Sequence, residues 1–158
     1  MRELILLRHA HAEPAGPGMS DPDRALSMEG LAEAEAAGRW LAARGLVPDR
    51  VLVSPARRTR ETLERVLAAV GYADTRTEPR IYEATPGTLV ALADEHRDAG
   101  RLMLVGHNPG LEHLAALMST GQSGDFRGMP PAGIVVLHLP ADADLEPGIA
   151  TVDAYWIP

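Results

Sequence analysis

The chain has 158 residues, 46% of them hydrophobic, and a formal net charge of -7. That length buries one sizeable core and predicts a single domain over residues 1–158. The acidic balance argues against nucleic acid as a partner, and the lack of cysteine excludes disulfides, thiolate metal ligands and a cysteine nucleophile.

The opening MRELILLRHAHAE has too short an apolar stretch, and no cleavage site, for a secretory leader. Elsewhere no apolar run approaches the roughly 20 residues a membrane-spanning helix needs, so a cytoplasmic protein without membrane contact is expected. Leu4 to Leu7 form a continuous apolar run, the pattern of a strand buried on both faces of a parallel sheet. Residues 13–24 are rich in Pro, Gly, Ser and Asp and predict a loop long enough to reach over a neighbouring site. Ser27 is placed to cap a helix from Met28 to Ala43, on which Leu31, Ala34, Ala37, Trp40 and Leu41 recur at helical spacing, and Gly45 stops it.

Arg50 to Val53 is a second buried strand, after which Ser54 can cap and Pro55 can open a helix to about Val70. A weaker strand from Thr75 to Glu78 leads through Ile81, Tyr82 and Glu83 to a helix over about 86–98, and Leu102 to Val105 is the next buried strand. A helix from about Leu111 to Met118, a surface loop to Pro131 and a strand centred on Ile134 to Leu139 follow, with 150–156 as a further edge strand. Strands alternating with helices predict an α/β fold, a three-layer α/β/α sandwich with a mainly parallel sheet.

Four chemical features follow strand ends: Arg8-His9, the cluster Arg57, Arg58 and Arg60, then Glu83, and finally His107. In a parallel sheet those ends share one rim. A transferring phosphoryl group needs an attacking atom, cationic donors for its oxygens and a proton source for the leaving oxygen, and His, Arg and Glu supply those roles. An arginine cluster in an acidic protein suits one phosphate gripped in a pocket, since the guanidinium fork binds it in bidentate fashion.

Arg8-His9-Ala10 at the first strand end, Ser54-Pro-Ala-Arg-Arg58-Thr-Arg-Glu-Thr62 and Gly106-His107 resemble, in order and spacing, the motifs of the histidine phosphatase superfamily, also called phosphoglycerate-mutase-like. The Leu-Arg-His opening, Val-Ser-Pro-x-x-Arg, Ile-Tyr-Glu-Ala and Val-Gly-His-Asn-Pro-Gly resemble its small SixA-like branch, the phosphohistidine phosphatases, over essentially the whole chain. Ala10 departs from the glycine usual after the first histidine, by one methyl group. The resemblance implies His9 as nucleophile, Arg8 and Arg58 as ligands of the phosphoryl oxygens, and His107, as a cation, donating to the same group. It also implies hydrolysis through a phosphohistidine on His9 with no metal or cofactor. Glu83 stands where larger relatives place an acidic residue and is a candidate general acid, with a solvated surface residue as the alternative. The substrate is a phosphorylated protein carrying phosphohistidine or a small phosphomonoester, and the missing insertions of larger relatives predict a shallow, open pocket.

Competing readings exist for several residues. His9-x-His11, with His107 and His113, can be drawn as a zinc hydrolase site, although Arg8 and Arg58 would repel the ion. Arg57 and Arg60 suit a solvated helix face, and His96, His113 and His138 suit structural positions. A non-catalytic module that only holds a phosphate is the remaining alternative.

Overall fold

Leu4, Ile5, Leu6 and Leu7 are each no more than 1% exposed, because the strand they form is paired on both edges and covered on both faces. The computed structural model describes residues 1–158 and places these four in β1 (Glu3–Arg8). The chain continues through α1 (Met28–Ala43), β2 (Arg50–Val53), α2 (Arg57–Val70), β3 (Asp74–Thr77), α3 (Pro86–Glu95), β4 (Arg101–Gly106), α4 (Gly110–Thr120), β5 (Ile134–His138) and β6 (Thr151–Trp156). Two 3-10 turns, Asp21–Asp23 and Pro79–Ile81, lie in the connections.

One six-stranded sheet runs β3-β2-β4-β1-β5-β6. Its first four strands are parallel, with Leu7 opposite Val105 and Val53 opposite both Thr77 and Val105. β5 is antiparallel to β1 and β6 antiparallel to β5, so the sheet is mixed at one edge. Side chains alternate across it. Leu4, Leu6, Leu52, Leu102 and Leu104 pack with α3 and α4 in one core layer, and Ile5, Leu7, Val51, Met103 and Val105 pack with α1 and α2 in the other. This is the expected three-layer α/β/α arrangement, with the carboxyl ends of β1, β2, β3 and β4 on one rim.

Helix α1 begins where expected, with Ser27 Oγ accepting from the Gly30 amide at 3.0 Å. Gly30 permits a close approach, since a Cβ there would lie 2.0 Å from the His11 carbonyl oxygen. Helix α2 corrects the expectation that Ser54 caps and Pro55 opens it. It starts at Arg57 with Ala56 as N-cap and no side-chain cap, and Ser54 Oγ, two residues before the N-cap, meets both the His107 ring at 2.8 Å and the Ala56 amide at 3.3 Å. On the outer side of α1, Trp40 stacks on Trp156 of β6 with ring centroids 5.8 Å apart, and the Arg44 guanidinium lies 4.9 Å from the Trp40 ring. No helix is long and apolar enough to cross a membrane.

Candidate active site

The rim formed by the four parallel strand ends collects Arg8 and His9 after β1, Arg58 in the first turn of α2, and His107 directly after β4. The ring centroids of His9 and His107 are 5.4 Å apart. His9 Nδ1 lies 2.7 Å from the Ala10 carbonyl oxygen, an acceptor only, so the proton of the neutral ring sits on Nδ1 and Nε2 carries a free lone pair. Burial, reinforced by the charges of Arg58 and Arg8, lowers the His9 pKa to about 4. The ring is therefore uncharged at neutral pH.

His107 is held in the same logic. Arg58 Nη2, which can only donate, lies 3.3 Å from His107 Nδ1, so Nε2 carries the proton and donates to Ser54 Oγ at 2.8 Å. Burial, the neighbouring His9 and Arg58 lower the His107 pKa to about 3. In the unliganded protein His107 is neutral, since ionising it would place a buried cation beside a second one; the expected imidazolium concerns the ring with a phosphoryl group bound. Tyr82 packs edge-on against this ring at 5.4 Å.

The two arginines are fixed from opposite sides. Arg8 Nη1 donates to the Met129 carbonyl at 3.1 Å, and Asn108 Nδ2 donates to the same oxygen at 2.7 Å. The stretch from Gly121 to Gly133 is therefore more than a surface loop, because its buried Phe126, Met129 and Ala132 anchor it beneath the rim. Arg58, 6% exposed, donates through Nη1 to the Asp21 carbonyl and through Nη2 to Asp21 Oδ2, both at 2.9 Å. Residues 13–24 do reach over the site, and the residue they deliver is Asp21. Its carboxylate also accepts a short hydrogen bond from the Tyr82 hydroxyl and pairs with Arg24 at 3.1 Å. The Tyr82 hydrogen bond, with those from Arg24 and Arg58, holds Asp21 far below the usual carboxylate range, and the same hydrogen bond raises Tyr82 in turn. Arg8 Nε and Arg58 Nε are buried without a protein partner, as is Arg101 Nε away from the site.

Glu83 is exposed, has a left-handed backbone (φ 57°) in the turn closed by the Ala84 amide on the Ile81 carbonyl, and makes neither an ion pair nor a side-chain hydrogen bond. It lines a cavity of about 620 Å³ together with Asp21, Arg58, Tyr82, His107 and His113. The turn at 82–85 and the start of α4 both contribute to its wall. Gly110 lets them meet, since a Cβ there would lie 2.6 Å from the Ala84 carbonyl oxygen.

The other candidates separate from this group. Arg57 pairs loosely with Glu61 at 3.5 Å and Arg60 Nε donates to the Pro55 carbonyl, both on the outer face of α2. His11 Nδ1 lies 2.7 Å from Ser27 Oγ, which ties it to the α1 cap. The group of side chains close enough to share an ion is Glu112, His113 and Asp125, and it contains neither His9 nor His11. Sequence reading missed Asp21, Tyr82 and Ser54 as members of the site. Tyr82 lay in the quoted Ile-Tyr-Glu-Ala segment and Ser54 in the arginine motif, whereas Asp21 had only its place in a long polar loop as a signal.

Residues 4–109 match the family model described as histidine phosphatase superfamily (branch 1). The chain belongs to the histidine phosphatase superfamily. That membership supports a phosphatase activity carried by a catalytic histidine. Among histidine phosphatases of known structure, the chain superimposes on the protein described as "putative phosphohistidine phosphatase SixA" from Agrobacterium tumefaciens. The TM-score is 0.86 at 29% identity, covering 99% of this chain and 98% of that one. The protein histidine phosphatase SixA complexed with tungstate shares the fold at TM-score 0.83 and 22% identity, covering 99% of this chain and 97% of that one. The uncharacterized protein Rv1276c of Mycobacterium tuberculosis is 36% identical over 159 residues, which cover 94% of this chain and 98% of the relative. The fold is thus that of the SixA-like, phosphoglycerate-mutase-like histidine phosphatases.

Proposed function

We propose that residues 1–158 act as a single histidine phosphatase domain that hydrolyses a phosphoryl group, from phosphohistidine on a protein or from a phosphomonoester, through a phosphohistidine on His9. The observation that supports this most is the His9 ring itself. With Nδ1 donating to the Ala10 carbonyl and its pKa near 4, its Nε2 lone pair is available at neutral pH.

In the first step Nε2 of His9 attacks phosphorus, the N–P bond forms, and the bond from phosphorus to the leaving atom breaks. Arg8, Arg58 and His107 receive the phosphoryl oxygens. A dianion between them favours protonation of His107 at Nδ1, so that this nitrogen gives up the Arg58 contact and donates to a phosphoryl oxygen. An alkoxide leaving atom takes a proton, and Glu83, on the cavity wall, is the candidate donor. A departing imidazole leaves without that help. In the second step water attacks phosphorus, the N–P bond breaks, and phosphate is released with His9 restored. No step draws on a metal or a cofactor.

The test is phosphate release from an aryl phosphate and from a phosphohistidine protein, in EDTA, for the wild type and His9→Ala. Turnover that survives EDTA and disappears in His9→Ala is the expected result. EDTA-sensitive turnover would overturn the reading in favour of a metal site, and binding of phosphate without any turnover would overturn it in favour of a holding module.

A further inference from the structure

The cavity beside the histidine pair extends past Arg58 and His107 without including His9, so it is the space open to the part of the substrate that departs. Two carboxylates line it, Asp21 and Glu83, and Arg58 is the one cation in its wall. Arg58 is not free to answer a second charge: its two Nη atoms are already committed to the Asp21 carbonyl, the Asp21 carboxylate and His107 Nδ1. Arg24, the nearest further cation in this network, is likewise taken up by Asp21. Glu83 has no counter-ion, and its exposed carboxylate is therefore uncompensated charge on the wall. On the far side His113 faces Asp125 at 3.5 Å rather than a cation.

We propose that this cavity selects phosphorylated substrates whose leaving group is neutral or cationic and discriminates against those carrying a second anion, with Glu83 as the specificity-determining residue. The inference rests on the proposed phosphatase reading and narrows its substrate class. An amine-bearing alkyl phosphate or a phosphohistidine set among basic residues fits such a wall. A phosphorylated carboxylic acid or a bisphosphate meets repulsion, with no fork available for its second anion. Because Glu83 is exposed, the effect is that of one charge in a high dielectric, and exchanging a leaving-group cation for an anion shifts kcat/KM by about fivefold or more at low salt.

Two matched pairs test this in the full-length protein. One compares phosphocholine with 3-phosphoglycerate, and the other compares a phosphohistidine peptide flanked by lysines with one flanked by glutamates. The cationic member of each pair is expected to be favoured about fivefold or more in 20 mM salt, about the low-salt limit where screening is weak, and less as salt rises. The better of the two cationic substrates then tells whether the source is a small molecule or a protein. In Glu83→Gln the preference shrinks, and in Glu83→Lys it reverses. The two members of a pair share one leaving chemistry, so replacing a Glu83 that acts only as an acid would change both equally and leave the ratio intact. An intact ratio in the variants, or equality or an anionic preference in either wild-type pair, overturns the inference. Absence of wild-type turnover on every substrate, the aryl phosphate included, would instead overturn the phosphatase reading.

Discussion

A nucleophilic histidine must keep one ring nitrogen bare, and the partners of His9 and His107 decide which. The Ala10 carbonyl accepts a hydrogen bond from His9 Nδ1–H, and Ser54 Oγ accepts one from His107 Nε2–H. Ser54 is fully buried and also accepts from the Ala56 amide at 3.3 Å, so it couples the start of α2 to the second histidine. Replacing it with alanine leaves a buried Nε2–H without an acceptor, at a cost of about 1–3 kcal/mol. Ser54→Ala is therefore expected to lower the urea midpoint and to reduce kcat more than it raises KM, with Ser54→Thr restoring part of both. Unchanged kcat would mean the hydroxyl does not orient the ring. Of this residue-level chemistry the sequence carried the reactive groups but not their orientation. His9, Arg8, Arg58 and His107 could be picked out by spacing from strand ends, whereas the Ala10 carbonyl belongs to the backbone. Asp21 could not be singled out among the charged residues of a loop whose path depends on what it folds onto.

At the level of elements, the rim works because close packing between segments replaces bulk. Gly110 sits against the Ala84 carbonyl, which places the first turn of α4 beside the Tyr82–Glu83 turn and shapes one wall of the cavity. A methyl group at 2.6 Å from a backbone oxygen must displace one of the two segments, and overpacking of this kind costs about 1–3 kcal/mol. Gly110→Ala is expected to lower thermal stability and raise KM. A variant as stable as the wild type would show that the turn yields freely. Such contacts are invisible to periodicity. The buried strand β1 and helix α1 could be read from apolar runs and helical spacing because their patterns are local. The true start of α2 could not, since Ser54 had two uses open to it, capping or holding His107, and the second belongs to the tertiary structure.

Across the whole molecule, the two depressed histidines tie stability to pH. The folded state keeps His9 neutral down to about pH 4 and His107 down to about pH 3, whereas an unfolded histidine takes its proton near about 6.5. Below that value the unfolded chain binds protons that the folded one refuses, so stability is full above it and falls as the pH drops towards 4 and then 3. Asp21, held low by Tyr82 and the arginines, begins to lose its contribution only as the pH falls below the ordinary aspartate value of about 4. The expected outcome is a urea midpoint that declines between pH 7 and 4.5 in the wild type and declines less in His9→Asn, while NMR places the His9 titration near pH 4. Equal declines would assign the acid sensitivity elsewhere. The sheet order is the part of the global architecture that alternation of strands and helices left open, because the antiparallel pairing of β5 with β1 and β6 is set by crossovers rather than by local pattern.

The pair formed by Trp40 on α1 and Trp156 at the end of β6 is made of the only two tryptophans in the chain. Neither lines the substrate cavity. Intrinsic fluorescence is thus a built-in reporter of whether the final strand has docked on the first helix, and it stays silent to occupancy of the catalytic rim. A folding experiment followed at this wavelength times the closure of the sheet's last edge, and a ligand titration needs a different dye.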